Sequence, residues 1–292
     1  MLKIKHSIFL TLSVLFISNC GDSTTTSNKS SIVKGEMLNI TQDNKNKVIS
    51  TLFGSLGSVD EIDSIKSRKV SNQNKVATIN LNLITNIVKN EKKININCDS
   101  GSIEVDDSNY KVVYKNCNIK GTTIDGTIQY SQKPTSTNID ATISNLSIKK
   151  DNAQLYYESA HVIVNNNNKD TTITGYGKLD NKSIKYLDLH THFKQSNSED
   201  TISIDGSVSS TCLNDKWVDI QTIKNIKFTK DENGNKEDCP DEGEVKIKGD
   251  NSDIKVVYNN DLSATLYLNG ELDNNYRSCK ELTQDAIKSC SN

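Results

Sequence analysis

Three side chains near residue 190 have the types and the spacing of a metal site. Asp188, His190 and His192 stand at positions i, i+2 and i+4 in a run that alternates apolar and polar residues. On a β-strand such positions share one face, so a carboxylate and two imidazoles would lie together, and His161 could complete the ligand set. The plainer interpretation is a solvated polar face that carries two histidines. On that interpretation we predict no metal and no cofactor.

Other catalytic patterns are missing from the sequence. No G-x-S-x-G motif places a serine on a strand-turn-helix elbow beside a base. The paired carboxylates at 60–61, 106–107 and 231–232 fit turns in a chain with 37 acidic residues. The acidic loop at 231–238 lacks the alternating ligand spacing of a calcium loop. We therefore predict that the protein is not an enzyme.

The first twenty residues carry a localisation signal. Lys3 and Lys5 precede an apolar stretch of 12 residues, from Ser7 to Ser18, and Cys20 follows. A helix that spans the hydrocarbon core of a bilayer needs roughly 20 apolar residues. The stretch is therefore too short for a membrane span and has the layout of an export signal.

Residues 17–21, Ile-Ser-Asn-Cys-Gly, resemble the lipobox of bacterial lipoproteins. The resemblance implies that residues 1–19 are a signal peptide removed by signal peptidase II, and that Cys20 becomes an N-terminus anchored by several acyl chains. Residues 20–35 would form a flexible tether rich in Ser and Thr. Gly21, where inner-membrane lipoproteins carry an aspartate, favours the outer membrane. The alternatives are an ordinary signal peptide with Cys20 free or paired, and an uncleaved anchor.

Lipid on Cys20 would leave an even set of cysteines: Cys98, Cys117, Cys212, Cys239, Cys279 and Cys290. An even set in an exported chain predicts disulfides, and the lack of any C-x-x-C spacing argues against zinc. A tight turn centred between Asp107 and Ser108 would place Ile103 opposite Val112 and Cys98 opposite Cys117. We therefore predict that Cys98 and Cys117 form a disulfide.

The other four cysteines are harder to assign. Pairing of nearest neighbours joins Cys212 with Cys239 and Cys279 with Cys290. A continuous helix from 279 to 290 would hold its end residues about 16 Å apart, beyond the reach of a disulfide. Either that helix covers only the middle of the segment, or Cys290 pairs elsewhere.

The composition and the periodicity predict a mainly β fold. Hydrophobic residues are 34% of the chain, and from about Lys75 they alternate with polar residues, as in TINLNL at 78–83 and LDLH at 187–190. We expect a large antiparallel curved sheet or sandwich over residues 75–292, with roughly a dozen to fifteen strands. The net charge of −2 comes without a basic stripe, so no nucleic-acid partner is predicted.

Residues 36–70 form a helical segment before the sheet. Thr41 can cap a helix, Gly57 can end it, and a capping box at 58–61 would open a short second helix. The first helix has one apolar stripe: Val48, Ile49, Leu52, Phe53 and Leu56.

The sequence contains two kinds of internal repeat. YKVVYKN at 110–116 returns as IKVVYNN at 254–260, within two similar hairpin modules at about 94–130 and 239–274. A smaller unit, with a small residue between two aliphatics, occurs as IDGTI at 124–128, IDATI at 139–143, IDGSV at 204–208 and LNGEL at 268–272. We predict that each unit lies in the middle of a strand. One continuous curved sheet and two domains, near 75–200 and 201–292, both fit the repeats.

In the first hairpin module, the apolar residues switch from even to odd residue numbers along each strand. Cys98 is even and Ile103 is odd, while Tyr114 is even and Cys117 is odd, although all four are expected on the buried face. β-Bulges near Gly101 and Asn116 would reconcile these positions.

The lipobox, the short helix and the cysteine-paired hairpins resemble those of a group of β-rich proteobacterial lipoproteins, which lends no catalytic residues. We predict a lipid-anchored cell-envelope protein with a structural or binding role, whose partners are the membrane through Cys20 and an envelope protein or apolar ligand. One alternative is a carrier of apolar ligands in a half-barrel closed by the helices at 41–66. Another is a hydrolase that uses Asp188, His190 and His192.

Trp217, the only tryptophan, is expected to pack against a Cys212–Cys239 bridge. The alternative is a surface ring that stacks on a carbohydrate.

Overall fold

Thirteen antiparallel strands form one continuous curved sheet, in which each strand pairs with its neighbours in the sequence. The strands are β1 Ser100–Asp106, β2 Lys111–Ile119, β3 Thr122–Tyr130, β4 Asn138–Lys150, β5 Ala153–Asn165, β6 Asn168–Leu179, β7 Lys182–Gln195, β8 Glu199–Ser210, β9 Trp217–Thr229, β10 Glu242–Lys248, β11 Asp253–Tyr258, β12 Ala264–Leu268 and β13 Glu271–Tyr276. The prediction of a mainly β fold with a curved antiparallel sheet is confirmed. Both hairpin modules belong to the same sheet, at β1–β3 and β10–β12.

This computed structural model describes residues 31–56, 98–135, 137–231 and 239–290. From Ile32 onward the chain belongs to one compact unit. The lipobox-like residues 17–21, the short second helix predicted to follow the capping box at 58–61, and the predicted strand at 78–83 lie outside the described residues.

The two faces of the sheet differ because apolar and polar residues alternate along its strands. In β11, Ile254, Val256 and Tyr258 are buried, whereas the residues between them are partly exposed. Their repeat counterparts in β2, Val112 and Tyr114, are buried in the same way. All five side chains belong to a single hydrophobic cluster. We call the face that carries this cluster the core face and the opposite one the outer face.

Among the described residues, two helices contribute to the hydrophobic core, α1 at Lys45–Leu56 and α2 at Cys279–Ser289. The apolar stripe predicted for the first helix is confirmed, since Val48, Ile49 and Leu52 are almost fully buried. The helix begins at Lys45, after a hydrogen-bonded turn from Thr41, so the predicted start was several residues early. Helix α2 packs against α1 with Leu282 and Ala286 in the core cluster.

The segment before α1 runs along one end of the sheet. Trp217 N donates to the Glu36 carbonyl, Leu38 N donates to the Trp217 carbonyl, and Asp250 N donates to the Leu38 carbonyl, all within 2.9 Å. Ile40 N donates to Ser252 Oγ at 2.7 Å. These bonds fix the start of α1 relative to the first residue of β9 and the turn between β10 and β11.

A bulge occurs in β2, where the parity of the apolar positions predicted one. The β1–β2 register shifts between Ser100 and Ser102, and the β2–β3 register shifts between Tyr114 and Cys117. The extra residue lies on β2, where Asn116 adopts a left-handed conformation with φ 47°. The predicted bulge near Asn116 is thus confirmed and returns Cys117 to the core face, whereas β1 has no extra residue at Gly101, which lies opposite this bulge.

Glycines allow close approach where other strands bulge. Gly206 in β8 faces the bulge at Asp188 in β7, and Gly126 in β3 faces the bulge at Asn145 in β4. Both glycines have φ +133°, and a Cβ on either would lie 2.5 Å from the carbonyl oxygen of the facing residue. Only glycine fits such positions without displacing the backbone.

Two local predictions were wrong. The turn between β1 and β2 is longer than predicted, so Ile103 lies opposite Tyr114 rather than Val112. Asp106 stabilises this longer turn because its carboxylate accepts hydrogen bonds from Ser108 N and Asn109 N, both at 3.1 Å.

The fourth small-residue unit, LNGEL, is a hairpin turn, whereas the other three lie within β3, β4 and β8 as predicted. Asn269 and Gly270 both have positive φ, at 52° and 84°. An Asn-Gly pair in this conformation is the preferred two-residue link between antiparallel strands.

Replacing Gly206 by Ala tests the close approach at the bulge. We expect Gly206→Ala to lower the free energy of unfolding by about 2 kcal/mol or more, because the added Cβ meets backbone atoms and φ is strained. The matched control is Gly270→Ala, which has positive φ but no atom within 4 Å of the new Cβ. The control should lose only about 1 kcal/mol. Urea titrations that give equal losses would contradict the steric argument.

Buried tyrosines predict alkaline sensitivity. Burial raises the pKa of both Tyr186 and Tyr258 far above its usual range. Below pH of about 10 both hydroxyls are protonated whether the chain is folded or unfolded; at higher pH only the unfolded chain releases these protons. Each tyrosine therefore reduces the free energy of unfolding by about 1.4 kcal/mol per pH unit above pH 10.

Tyr186→Phe should remove about half of this combined slope between pH 10 and 12 in urea titrations. At pH 7 it should cost little, because Tyr186 Oη has no hydrogen-bond partner among the described residues. Tyr110→Phe, at an exposed position, is the control. A slope that Tyr186→Phe leaves unchanged would rule out this origin of the alkaline sensitivity.

Candidate functional site

The histidines of β7 lie beside a different carboxylate from the one predicted. His192 Nδ1 is 2.5 Å from Asp170 Oδ1, and His190 Nε2 is 3.8 Å from the same oxygen. Asp188 lies in the bulge of β7 and accepts a 3.0 Å hydrogen bond from Thr174 Oγ1. Asp188 and the two histidines therefore have different partners, and the three predicted ligands do not form a metal-binding group.

The third histidine of this region forms its own pair. His161 in β5 and Asp140 in β4 are joined at 2.8 Å, and this hydrogen bond lowers the pKa of Asp140 in spite of partial burial. Within the described residues no group of three or more His, Cys, Asp or Glu side chains is arranged to hold a metal ion. These residues form paired, solvated groups on the outer face.

Six cysteines form three disulfides, Cys98–Cys117, Cys212–Cys290 and Cys239–Cys279. The pairing of Cys98 with Cys117 is confirmed. The nearest-neighbour pairs Cys212–Cys239 and Cys279–Cys290 were wrong. Cys20, the predicted lipidation residue, lies outside the described part of the chain.

The path of α2 explains the observed pairing. Its first residue, Cys279, is joined to Cys239, which lies between β9 and β10 at one end of the sheet. Cys290 follows its last residue and is joined to Cys212, which lies between β8 and β9 at the other end. A helix of 11 residues is about 16 Å long, so the cysteines at its two ends cannot reach each other, and each pairs with a different cysteine of the sheet region. The helix length excluded a bond between Cys279 and Cys290, but which cysteine each of them pairs with depends on the fold.

Trp217 lies on the outer face instead of against a Cys212–Cys239 bridge. It is 3% exposed and is not part of the core cluster. A Cβ on Gly35 would lie 3.4 Å from the indole Nε1, so the N-terminal segment passes directly against the ring. A ring covered in this way is not available for stacking on a sugar.

A small cavity lies between α1 and the end of the sheet that carries Cys212. Its volume is about 190 Å³, and its wall includes Ser50 and Thr51 of α1, Lys182 of β7, Ser210 of β8 and the Cys212–Cys290 bridge. It is smaller than the roughly 300–1,000 Å³ of pockets that hold drug-sized ligands. A cavity of this volume is too small for the acyl chain expected of an apolar-ligand carrier.

Helix α1 packs against α2, β8 and the short segment after β8, and side chains on the core face of the central strands are also buried. Val48 and Ile49 are fully buried, and so are Ala141 and Tyr157 on the core face of β4 and β5.

In the part of the chain that the structure describes, no helix is long and apolar enough to cross a bilayer.

The two disulfides of α2 should control the order of the C-terminal region. Replacing Cys212 and Cys290 by Ser should lower the free energy of unfolding by roughly 2–5 kcal/mol, because the bridge closes a loop of 78 residues. Amide hydrogen exchange in the last turn of α2 should become faster. The control is the Cys98→Ser/Cys117→Ser double variant, which removes a bridge at β1 and should leave exchange in α2 unchanged. Unchanged exchange in both variants would contradict the role of the bridge.

Comparisons of this chain with protein-family models, with curated proteins and with solved structures yield no match.

Proposed function

We propose that the protein is a lipoprotein of the cell envelope, anchored by lipid on Cys20, and that its sheet has a structural or binding role without catalysis. The lipobox-like residues 17–21 are the starting point of this proposal. Gly21 after the cysteine favours the outer membrane as its location.

One observation carries the proposal. The chain has seven cysteines, and six of them pair with one another. Cys20 is therefore left without a cysteine partner in its own chain. A single unpaired cysteine at the end of an export signal is the residue that lipid attachment requires. Three disulfides also fit an oxidising compartment, where such bonds persist.

The N-terminal segment supports an anchor at a distance from the sheet. Ile32 N donates to Glu158 Oε2 at 2.7 Å, and Lys34 Nζ lies 2.5 Å from Asp219 Oδ1. These contacts hold the start of the folded unit on the outer face. The preceding residues 21–31 contain no large apolar side chain and could extend by up to about 37 Å. A chain of this length allows the sheet to stand clear of a lipid surface.

The experiment is metabolic labelling with radioactive palmitate. The wild-type protein should incorporate label and sediment with membranes, whereas Cys20→Ser should incorporate none and partition into the aqueous phase of a detergent separation. The mature wild-type protein should begin at Cys20 by mass spectrometry.

The Cys98→Ser/Cys117→Ser double variant is the matched control, since it also removes thiols but should keep the label. Absence of label on the wild type, or a label that persists in Cys20→Ser, would refute the proposed anchor.

A further inference from the structure

We propose that the Cys212–Cys290 bridge is a site of thiol–disulfide exchange, at which a small soluble thiol forms a mixed disulfide with Cys290. This inference does not depend on lipid at Cys20. It is based on the exposure of the bridge, on the cavity beside it and on its position at the end of α2.

The Cys212–Cys290 bridge lies outside the hydrophobic core, unlike the other two disulfides. Cys212 and Cys290 are partly exposed, and neither belongs to the core cluster. The other four cysteines lie in that cluster or pack against it: Cys98, Cys117, Cys239 and Cys279. A thiolate must reach a sulfur atom directly, so access limits the rate of exchange. A thiol can therefore reach the Cys212–Cys290 bridge without the local unfolding that a buried bridge requires.

The cavity between α1 and the sheet leaves room for a small thiol beside the bridge. Both cysteines of the bridge line this cavity, whose volume is about 190 Å³. Asn181 also lines it and is exposed, so the cavity reaches the protein surface. The volume is small for a drug-sized ligand. The reacting end of a small thiol is only a sulfur atom and the methylene group that carries it, and the rest of the molecule can stay in solvent.

Backbone carbonyl groups determine which sulfur leaves more easily. Cys290 follows the last turn of α2, where its N–H donates to the Ile287 carbonyl at 3.3 Å and the helix end carries a partial negative charge. Cys290 Sγ also lies 3.9 Å from the carbonyl oxygen of Lys47 in α1. Negative charge is therefore less favourable on Cys290 than on Cys212. Because the sulfur that better carries negative charge leaves faster, Cys290 is attacked and Cys212 leaves.

The exchange takes place in two steps. The thiolate of the small thiol attacks Cys290 Sγ and forms a new S–S bond, while the old bond breaks with its electron pair on Cys212 Sγ, which takes up a proton from water. A second small thiol then attacks the mixed disulfide, so that Cys290 is released as a thiol and the two small molecules leave as a disulfide. The small thiols thus supply both electrons that reduce the bridge.

Opening of this bridge releases one end of α2 and keeps the other. Cys279, the first residue of the helix, stays joined to the buried Cys239. Leu282 and Ala286 keep the first part of the helix in the core cluster. The last turn, in contrast, loses its covalent link to the segment after β8. The concentration of thiols around the protein therefore controls the order of the end of α2.

The test is incubation of the folded protein, with its three disulfides intact, with reduced glutathione. Free thiols are then blocked with N-ethylmaleimide, and the cysteines are mapped by peptide mass spectrometry. The first modified species should carry glutathione on Cys290 and the blocking group on Cys212. The other two bridges should open more slowly by about tenfold or more, because a thiol reaches them only after local opening. Cys20→Ser should give the same map.

A filled cavity tests the route of attack. Ser50→Leu places a larger side chain in the cavity wall and should slow adduct formation several-fold. The matched control is Ser144→Leu, at an exposed position of β4 outside the cavity, which should leave the rate unchanged. Circular dichroism would verify that both variants are folded. If Ser50→Leu does not fold, Ser183→Leu in the same wall replaces it. An unchanged rate in the folded cavity variant would contradict attack through the cavity.

Hydrogen exchange tests the structural consequence. The adduct should speed amide exchange in the last turn of α2 and leave its first turn unchanged, and uniform exchange along the helix would contradict release of one end only. No adduct on the folded protein, under conditions that modify the urea-unfolded chain, would overturn the inference. Earlier opening of Cys98–Cys117 or Cys239–Cys279 would overturn it as well.

Discussion

A single apolar face on a very long sheet is the constraint that the rest of this structure meets. Thirteen strands in sequential order leave one side that must be removed from water, and a flat sheet of this length could not cover it. The sheet curves, and bulges opposite glycines at Gly126 and Gly206 allow adjacent strands to bend closely together. Helix α1 lies within the resulting core, where Val48 and Ile49 lose all contact with solvent.

Two of the disulfides stabilise a part of the core that contacts between consecutive strands do not stabilise. A meander is stabilised by contacts between successive strands, so a helix at the end of the chain has no strand partner to fix it. Helix α2 is instead joined to the sheet by one disulfide at each of its ends, to Cys239 before β10 and to Cys212 after β8. The same bridge at Cys212 forms one wall of the cavity that contains Ser50 and Lys182.

Local sequence patterns were sufficient to predict much of the fold. The period of two predicted the sheet, and the apolar stripe of α1 predicted a buried helix, because each pattern reflects which side chains leave water. A change of parity at Cys98 and Cys117 predicted the bulge in the first module, since a strand cannot otherwise move its apolar residues to the other face. The disulfide between these two cysteines followed from one hairpin, even though its turn is longer than predicted.

The sequence by itself determined the β architecture and an even set of cysteines beside Cys20, and its lipobox-like residues are the basis of the predicted export signal. Only the tertiary structure decided the partners of Cys212 and Cys239, because they depend on the path of α2 across the sheet. It also placed Asp170 beside the β7 histidines, because the register of β6 and β7 sets Asp170 opposite His192. Ser50 and Lys182 are 132 positions apart, and no local pattern could show that they line one cavity.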